Sequence, residues 1–309
     1  KVEAFVGLGG NFVRAVPERG LMEKAWREIP LTVQIATKLN RNHVIHGKAS
    51  YLLPCLGRIE IDRQAGGEQD VTVEDSTGCM HGSRGRAEPV ASTLLSEPAI
   101  VAGLAKATLE PNPKVDWDRW VGDYSLVREA IAETYPDIFH DFNARMWTPG
   151  GFRRPLGAAH RVWKTESGKA HFTAPEALQG NPDLRGGPQT LRLFTVRSDG
   201  QFNTTIYNYD DHFRGVQGSR MVLFMARADV ARYALREGEL VSLRTAADDG
   251  VERRVDGLAV VPYDVPEGCI AGYYPELNAL IPLWHHAKES KVPAAKAIDV
   301  ILGRGGRLS

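Results

Sequence analysis

The pattern of apolar residues changes along this chain, and the change divides it. Near the start, short apolar runs alternate with stretches of helical spacing. Residues 2–8 read as a strand followed by Gly9-Gly10-Asn11. Residues 20–28 read as a helix with Leu21, Met22, Ala25 and Trp26 on one stripe. Leu31–Ala36 is a second strand, ending in Thr37, Asn40 and Asn42. Residues 51–53 form a third, short strand, and Val71–Glu74 a fourth in a stretch rich in glycine and charge. Ser96 caps a helix that runs to Leu109, with Glu97 and Pro98 in its first turn, where an N–H has no helical partner. Strands alternating with helices predict a three-layer α/β/α domain with a mostly parallel sheet over residues 1–110.

Residues 111–188 read as a helical connector and linker. Pro111-Asn112-Pro113 breaks the preceding pattern. Leu126, Val127, Ala130 and Ile131 define one amphipathic helix stopped near Pro136, and Trp117, Trp120, Phe139, Phe142 and Trp147 are apolar anchors. Residues 182–188 look like a loop into the next domain. From Gln189 the pattern turns β-rich. Leu191–Val196, Met221 to Met225, Leu240–Thr245 and residues 252–261 are strands, and residues 228–235 are a short helix ended by Gly238. Asp248-Asp249-Gly250 is a turn between two of them. Short strands with one small helix fit a closed six-stranded barrel over residues 189–309 better than a sandwich with free edges. The fold class is therefore α/β plus all-β.

Ligands of parallel sheets sit beyond the carboxyl ends of the strands. Gly9-Gly10-Asn11 and residues 37–42 both fall at that edge, although Gly9-Gly10 equally reads as a plain βα turn. Arg197 ends the apolar run of Leu191–Val196, and Ser198, Asp199, Gly200, Gln201, Asn203, Thr204, Thr205 and Tyr207 follow it. A donor-rich loop after a buried strand suits a large polar anionic ligand, and an arginine there can fork onto a phosphate or lie on a ring. The same residues also fit a hairpin turn around Ser198-Asp199-Gly200 with a solvated flank.

Composition narrows the function. The chain has 309 residues, 43% hydrophobic and 25% charged, which is ordinary for a globular protein with two cores. Its formal net charge of zero argues against a nucleic-acid partner, and no apolar run approaches a membrane span. Cys55, Cys79 and Cys269 are far apart, which argues against an iron–sulfur or zinc site and suggests a reducing compartment. The nine histidines show no metal-ligand spacing, and Gly82-Ser83-Arg84-Gly85 is not a nucleophile elbow. No catalytic residue and no metal ligand is assigned. The chain opens inside a strand pattern at Lys1, so it is expected to be part of a longer polypeptide.

Four segments carry a family resemblance. Residues 191–207, LRLFTVRSDGQFNTTIY, resemble the first barrel strand of the molybdopterin-dinucleotide-binding domain that ends enzymes of the dimethylsulfoxide reductase superfamily. More narrowly they resemble the formate-dehydrogenase-like "oxidoreductase alpha (molybdopterin) subunit" family. VEAFVGLGGNF at residues 2–12, residues 49–97 and residues 273–296 agree in the same order, so the resemblance covers essentially the whole chain. It implies that the barrel is a double-psi barrel. It also implies a bis-molybdopterin guanine dinucleotide cofactor with molybdenum or tungsten, held in part by this chain.

Carried over residue by residue, the resemblance assigns cofactor contacts to Gly10, Asn11 and Phe12 in the first part, and position at the same sheet edge adds Thr37 and Asn40. In the barrel part the resemblance assigns them to Arg197, Ser198, Gln201, Asn203, Thr204, Tyr207, Asn278 and Lys296. Many relatives carry an aromatic residue before that lysine; here it is Ala295. The metal-ligating residue and an iron–sulfur cluster are implied in an N-terminal part outside this chain. The implied partners are that N-terminal part, a small-molecule substrate and an electron-transfer subunit, in the cytoplasm. A non-catalytic nucleotide-binding or assembly module on the same scaffold is the alternative.

Overall fold

A computed structural model describes residues 2–174, 187 and 189–305. The chain divides into two compact units. The first comprises residues 2–34, 39–51 and the described residues from 187 onward; the second comprises 35–38 and 52–174. The loop expected over residues 182–188 lies outside the described residues except for Gly187.

The chain opens with β1 (Ala4–Leu8), α1 (Phe12–Ala15), α2 (Arg19–Arg27), β2 (Leu31–Ala36), α3 (Arg41–Val44) and β3 (Ala49–Pro54). The three strands form one sheet in the order β1-β2-β3. Leu31 N–H donates to Glu3 O at 3.2 Å and Ala49 N–H to Pro30 O at 2.9 Å, so the strands start side by side and run parallel. Under this sheet Val13, Trp26 and Ile45 are buried together with Phe5, Met22 and Ile29 packed against them. The stripe read from residues 20–28 is thus a packing face. Glu18, just before α2, takes a left-handed φ of 54° and is nonetheless buried. For a glutamate this conformation persists only where surrounding contacts hold it.

The second unit holds β4 (Arg63–Gln64), β5 (Gly67–Glu68), β6 (Val71–Glu74), β7 (Cys79–Ser83), α4 (Glu97–Thr108), α5 (Trp117–Gly122), α6 (Tyr124–Thr134), α7 (Pro136–Phe139), α8 (Phe142–Arg145) and β8 (Phe152–Arg153). Val71–Glu74 is a strand, but not a fourth member of the parallel sheet. It pairs antiparallel with β7 in a separate sheet of order β6-β7-β8. The reason is the turn between them. Asp75 Oδ1 accepts Thr77 N–H at 2.8 Å and Cys79 N–H at 3.1 Å, and Gly78 takes φ 79°. Such side-chain-to-backbone bonds favour a hairpin over a crossover. Ser96 caps α4, its Oγ accepting Ala99 N–H at 3.3 Å. Phe142, Met146, Phe152 and Met80 form this unit's core with Phe139 against it, which accounts for two of the five apolar anchors. Trp117 and Trp120 line an apolar cavity of about 430 Å³.

The barrel begins at β9 (Leu191–Val196). A small hairpin, β10 (Gln201–Phe202) and β11 (Thr205–Ile206), follows, then β12 (Val222–Met225), α9 (Arg227–Arg232), β13 (Leu240–Thr245), β14 (Arg254–Pro262), β15 (Cys269–Tyr273) and β16 (Ile298–Arg304). Six strands close in the order β12-β14-β13-β16-β9-β15. The pairs β12–β14 and β9–β15 are parallel, and the other four are antiparallel. The expected α/β part followed by a six-stranded barrel is what the chain forms. Alternation along β9 turns Leu191, Leu193 and Thr195 inward, and Leu223, Met225, Val241, Leu243, Leu258, Val260, Ile270 and Val300 complete the interior. Each such aliphatic side chain contributes roughly 1.5–3 kcal/mol on burial. Leu277 and Leu280, on the 3-10 turn Glu276–Leu280, enter the same core. Gly272 makes room for Leu277: a Cβ there would lie 2.3 Å from its Cδ1.

Candidate functional site

Because β9 and β15 are parallel, with Val196 opposite Tyr273, both strands deliver their next residues to one rim of the barrel. Tyr274 N–H donates to Val196 O at 2.9 Å, and the Tyr274–Pro275 bond is cis. Arg220, just ahead of β12, ties this rim together from beneath and is only 4% exposed. Its Nη1 donates to Ser198 Oγ at 2.6 Å; its Nη2 donates to Gln201 Oε1 at 3.0 Å and to Tyr274 O at 2.8 Å. Both carboxylate oxygens of Glu276 accept from it, at 3.0 and 3.1 Å, and its guanidinium lies 4.4 Å from the Tyr273 ring centroid. Gln201 is fully engaged, its Nε2 donating to Asn203 O and Tyr274 O at 2.7 Å each. Tyr274 Oη donates to Asn203 Oδ1 at 2.8 Å.

On this scaffold Arg197 is exposed, its guanidinium 5.4 Å from the Tyr274 ring centroid. Lys296 Nζ donates to Thr195 O. Burial, with the neighbouring Arg197 charge, holds the Lys296 ammonium below the ordinary lysine range. Burial pushes the Tyr274 phenol up, against the opposing pull of Arg197 and Arg14. The rim is therefore short of negative charge relative to positive.

The second group sits at the carboxyl end of β1. Gly9 takes φ 67°, and Gly10 has open space where a Cβ would stand. Asn40 Nδ2 donates to Gly10 O at 3.0 Å, and Asn40 Oδ1 caps α3. Asn42, wholly buried, accepts Val13 N–H at 2.8 Å. Asn11 Oδ1 is buried with no hydrogen-bond partner. The Phe12 ring stacks on Trp26 at 5.6 Å.

The two groups meet within the first unit. Asn278 Nδ2 donates to Ala15 O at 2.9 Å and to Arg14 O at 3.3 Å, and Glu18 N–H donates to Asn278 O at 3.2 Å. Glu18 accepts Arg253 Nη2 at 2.7 Å and Leu283 N–H at 2.7 Å. Arg253 also donates to Asp249, which accepts Trp284 Nε1 at 2.7 Å. Arg253 and Trp284 hold the Asp249 carboxyl well below the usual range.

Of the residues singled out from sequence, Arg197, Ser198, Gln201, Asn203 and Lys296 gather at the barrel rim. Gly10, Asn11, Phe12 and Asn40 gather at the sheet edge. Thr204 is half-buried and Tyr207 is 73% exposed on the hairpin. Thr37 is exposed at the end of β2 and belongs to the other unit. Asn278 is buried with its amide engaged on backbone, and Ser198 and Gln201 serve Arg220. Sequence reasoning missed Arg220, Glu276, Tyr274 and Arg14. A charge just ahead of an apolar strand reads as solvated, so Arg220 carried no local signal; Arg14 lay two residues past a motif already marked. Among the described residues no group of three or more His, Cys, Asp or Glu is placed to hold a metal ion. No helix among them is long and apolar enough to cross a membrane.

A parallel α/β segment followed by a closed six-stranded barrel is an architecture with a solved counterpart. The chain superposes on acetylene hydratase from Pelobacter acetylenicus with a TM-score of 0.60, over 98% of this chain and 44% of that one, at 15% identity. That likeness shows the fold. No family model matches the chain. It is 42% identical over 307 residues to the uncharacterized oxidoreductase Mb2924c of Mycobacterium bovis. It is 41% identical over 304 residues to protein YdeP of Escherichia coli K12. Each match covers 98% of this chain but 39% and 40% of the relative, so the chain spans about two-fifths of their length.

Proposed function

We propose that this chain is the C-terminal, cofactor-cradling part of a molybdopterin-guanine-dinucleotide-dependent oxidoreductase with formate-dehydrogenase-like two-electron chemistry. On this reading the metal-ligating residue and any iron–sulfur cluster belong to another part of the polypeptide. Three things support it: relatives named oxidoreductase, the fold shared with acetylene hydratase, and the motif at residues 191–207. The observation that carries it is the Arg197 guanidinium laid over Tyr274 beside Lys296 on a rim made rigid by Arg220. The sheet-edge group fits a bound dinucleotide as well. The buried Asn11 Oδ1 calls for a donor such as a base N–H, and bare Gly10 lets a ligand approach the backbone. When bound, the cofactor supplies the redox chemistry. The chain's own residues bind its anionic groups, orient it and keep its phosphates paired.

Arg197→Ala in the full-length protein is expected to lower fluorescent pterin released per protein by about tenfold. A charge-assisted contact contributes roughly 1.5–3 kcal/mol, and ~1.4 kcal/mol is one decade. Arg197→Lys should recover only part, since lysine lacks the planar fork. Full pterin content in a folded Arg197→Ala protein would overturn the cradle. Absence of formate-dependent dye reduction in the loaded enzyme would overturn the substrate while leaving the cradle.

A further inference from the structure

Arg14 shares with Arg197 a guanidinium that bonds no acceptor among the described residues. It lies in α1 with its side chain 27% exposed, and its guanidinium donates no hydrogen bond to any described residue. The nearest carboxylate oxygen, Glu276 Oε1, is 3.8 Å away and already accepts Arg220 Nε at 3.0 Å. The other cations about it, Arg19, Arg41 and Arg220, lower its pKa further after burial has done so, with Glu276 alone opposing. Those neighbours have partners. Arg19 and Arg41 both bond Glu23, and Arg220 bonds Glu276. Arg14 is left with a guanidinium fork that bonds no described residue, half-buried among positive charges, a setting that favours an anion.

The backbone that carries it is not free to carry it away. Asn278 holds the carbonyls of Arg14 and Ala15, and the buried Glu18–Arg253 pair with Leu283 N–H fastens the next turn to the barrel. Arg14 and Arg197, 183 positions apart in the numbering, flank one cluster: Arg14 faces Glu276 at 3.8 Å, Arg220 joins Glu276 to Tyr274 O, and Arg197 lies 5.4 Å from the Tyr274 ring centroid. Two guanidiniums that bond no acceptor among the described residues, one before the first helix turn ends and one at the end of a barrel strand, match an anion with two charged centres.

We propose that Arg14 is a direct ligand of the anionic group held by Arg197, the two guanidiniums taking successive phosphates of one diphosphate. This rests on the cradle reading above and adds a residue from outside the barrel to it.

Calorimetric binding of inorganic pyrophosphate to the full-length apo-protein, over a range of salt, tests it. Arg14→Gln should weaken binding at least tenfold and flatten the salt dependence, with the melting temperature unchanged within a few degrees. Arg14→Lys should keep part of the affinity, and full parental affinity in that variant would overturn the forked contact. If Arg14→Gln fails to fold, Arg14→Lys alone decides. Parental binding in Arg14→Gln beside a loss in Arg197→Ala would remove Arg14 from the site and leave the cradle standing. Parental binding in both, or none in the unsubstituted protein, would overturn the cradle itself.

Discussion

Removing the Arg220 guanidinium leaves Glu276, with its side chain 11% exposed, facing only Arg14 at 3.8 Å. Ser198 Oγ, Gln201 Oε1 and Tyr274 O lose a donor in the same step. Breaking a buried ion pair from one side costs about 3–5 kcal/mol, chiefly through the charge left behind. Arg220→Met should therefore lower the unfolding free energy by roughly 3 kcal/mol in urea titration. Arg220→Met with Glu276→Gln should lose less, because no carboxylate remains unpaired. Equal losses in the single and double variants would show that the stranded Glu276 charge is not what destabilises the single variant. The contrast explains which part of the site could be read from residues alone. Arg197 was visible because it ends an apolar strand pattern, and Lys296 because its segment resembles a family motif. Their fastening depends on contacts such as Arg220 to Glu276, 56 positions apart, which no local pattern encodes.

Elements with strong periodicity emerged close to where the sequence put them. The helix expected at residues 20–28 runs Arg19–Arg27, and Leu191–Val196 is a strand with alternate residues buried. The assignment of Val71–Glu74 to the parallel sheet failed because a strand's partner is chosen by its turn and its sheet, not by its own residues. Nor did any apolar period announce the 3-10 turn Glu276–Leu280, which puts Leu277 and Leu280 into the barrel core. Gly272→Ala tests that packing. The new methyl would stand 2.3 Å from Leu277 Cδ1 and 3.2 Å from Val222 O, and Leu277 has no exposed space to move into. Overpacking of this kind costs typically 1–3 kcal/mol, and a lowered thermal midpoint should report it. A midpoint within a degree of the parent would mean that the turn yields freely.

At the scale of the whole molecule, 98% of the chain aligns with about two-fifths of its relatives. On the proposed reading, the residue that ligates the metal lies in the remaining part of such a protein. The 309-residue chain by itself is then expected to contain no molybdenum by elemental analysis and to reduce no dye with formate. Stoichiometric metal with turnover would overturn that division of labour. The pair Glu18–Arg253 closes a separation of 235 residues, and the second unit lies in sequence between the two halves of the first. Closing so long a loop is entropically costly, but the cost grows only slowly with length, by about 0.6 kcal/mol per doubling. Folding the intervening unit first shortens the effective loop. During synthesis from the ribosome, Arg14 emerges long before Arg197, Arg220 and Arg253 exist. On the proposed reading the order of assembly follows: a rim that needs Arg14, Arg197 and Tyr274 together can form only after the barrel strands that carry the last two have been made, so the cradle is built before it is loaded.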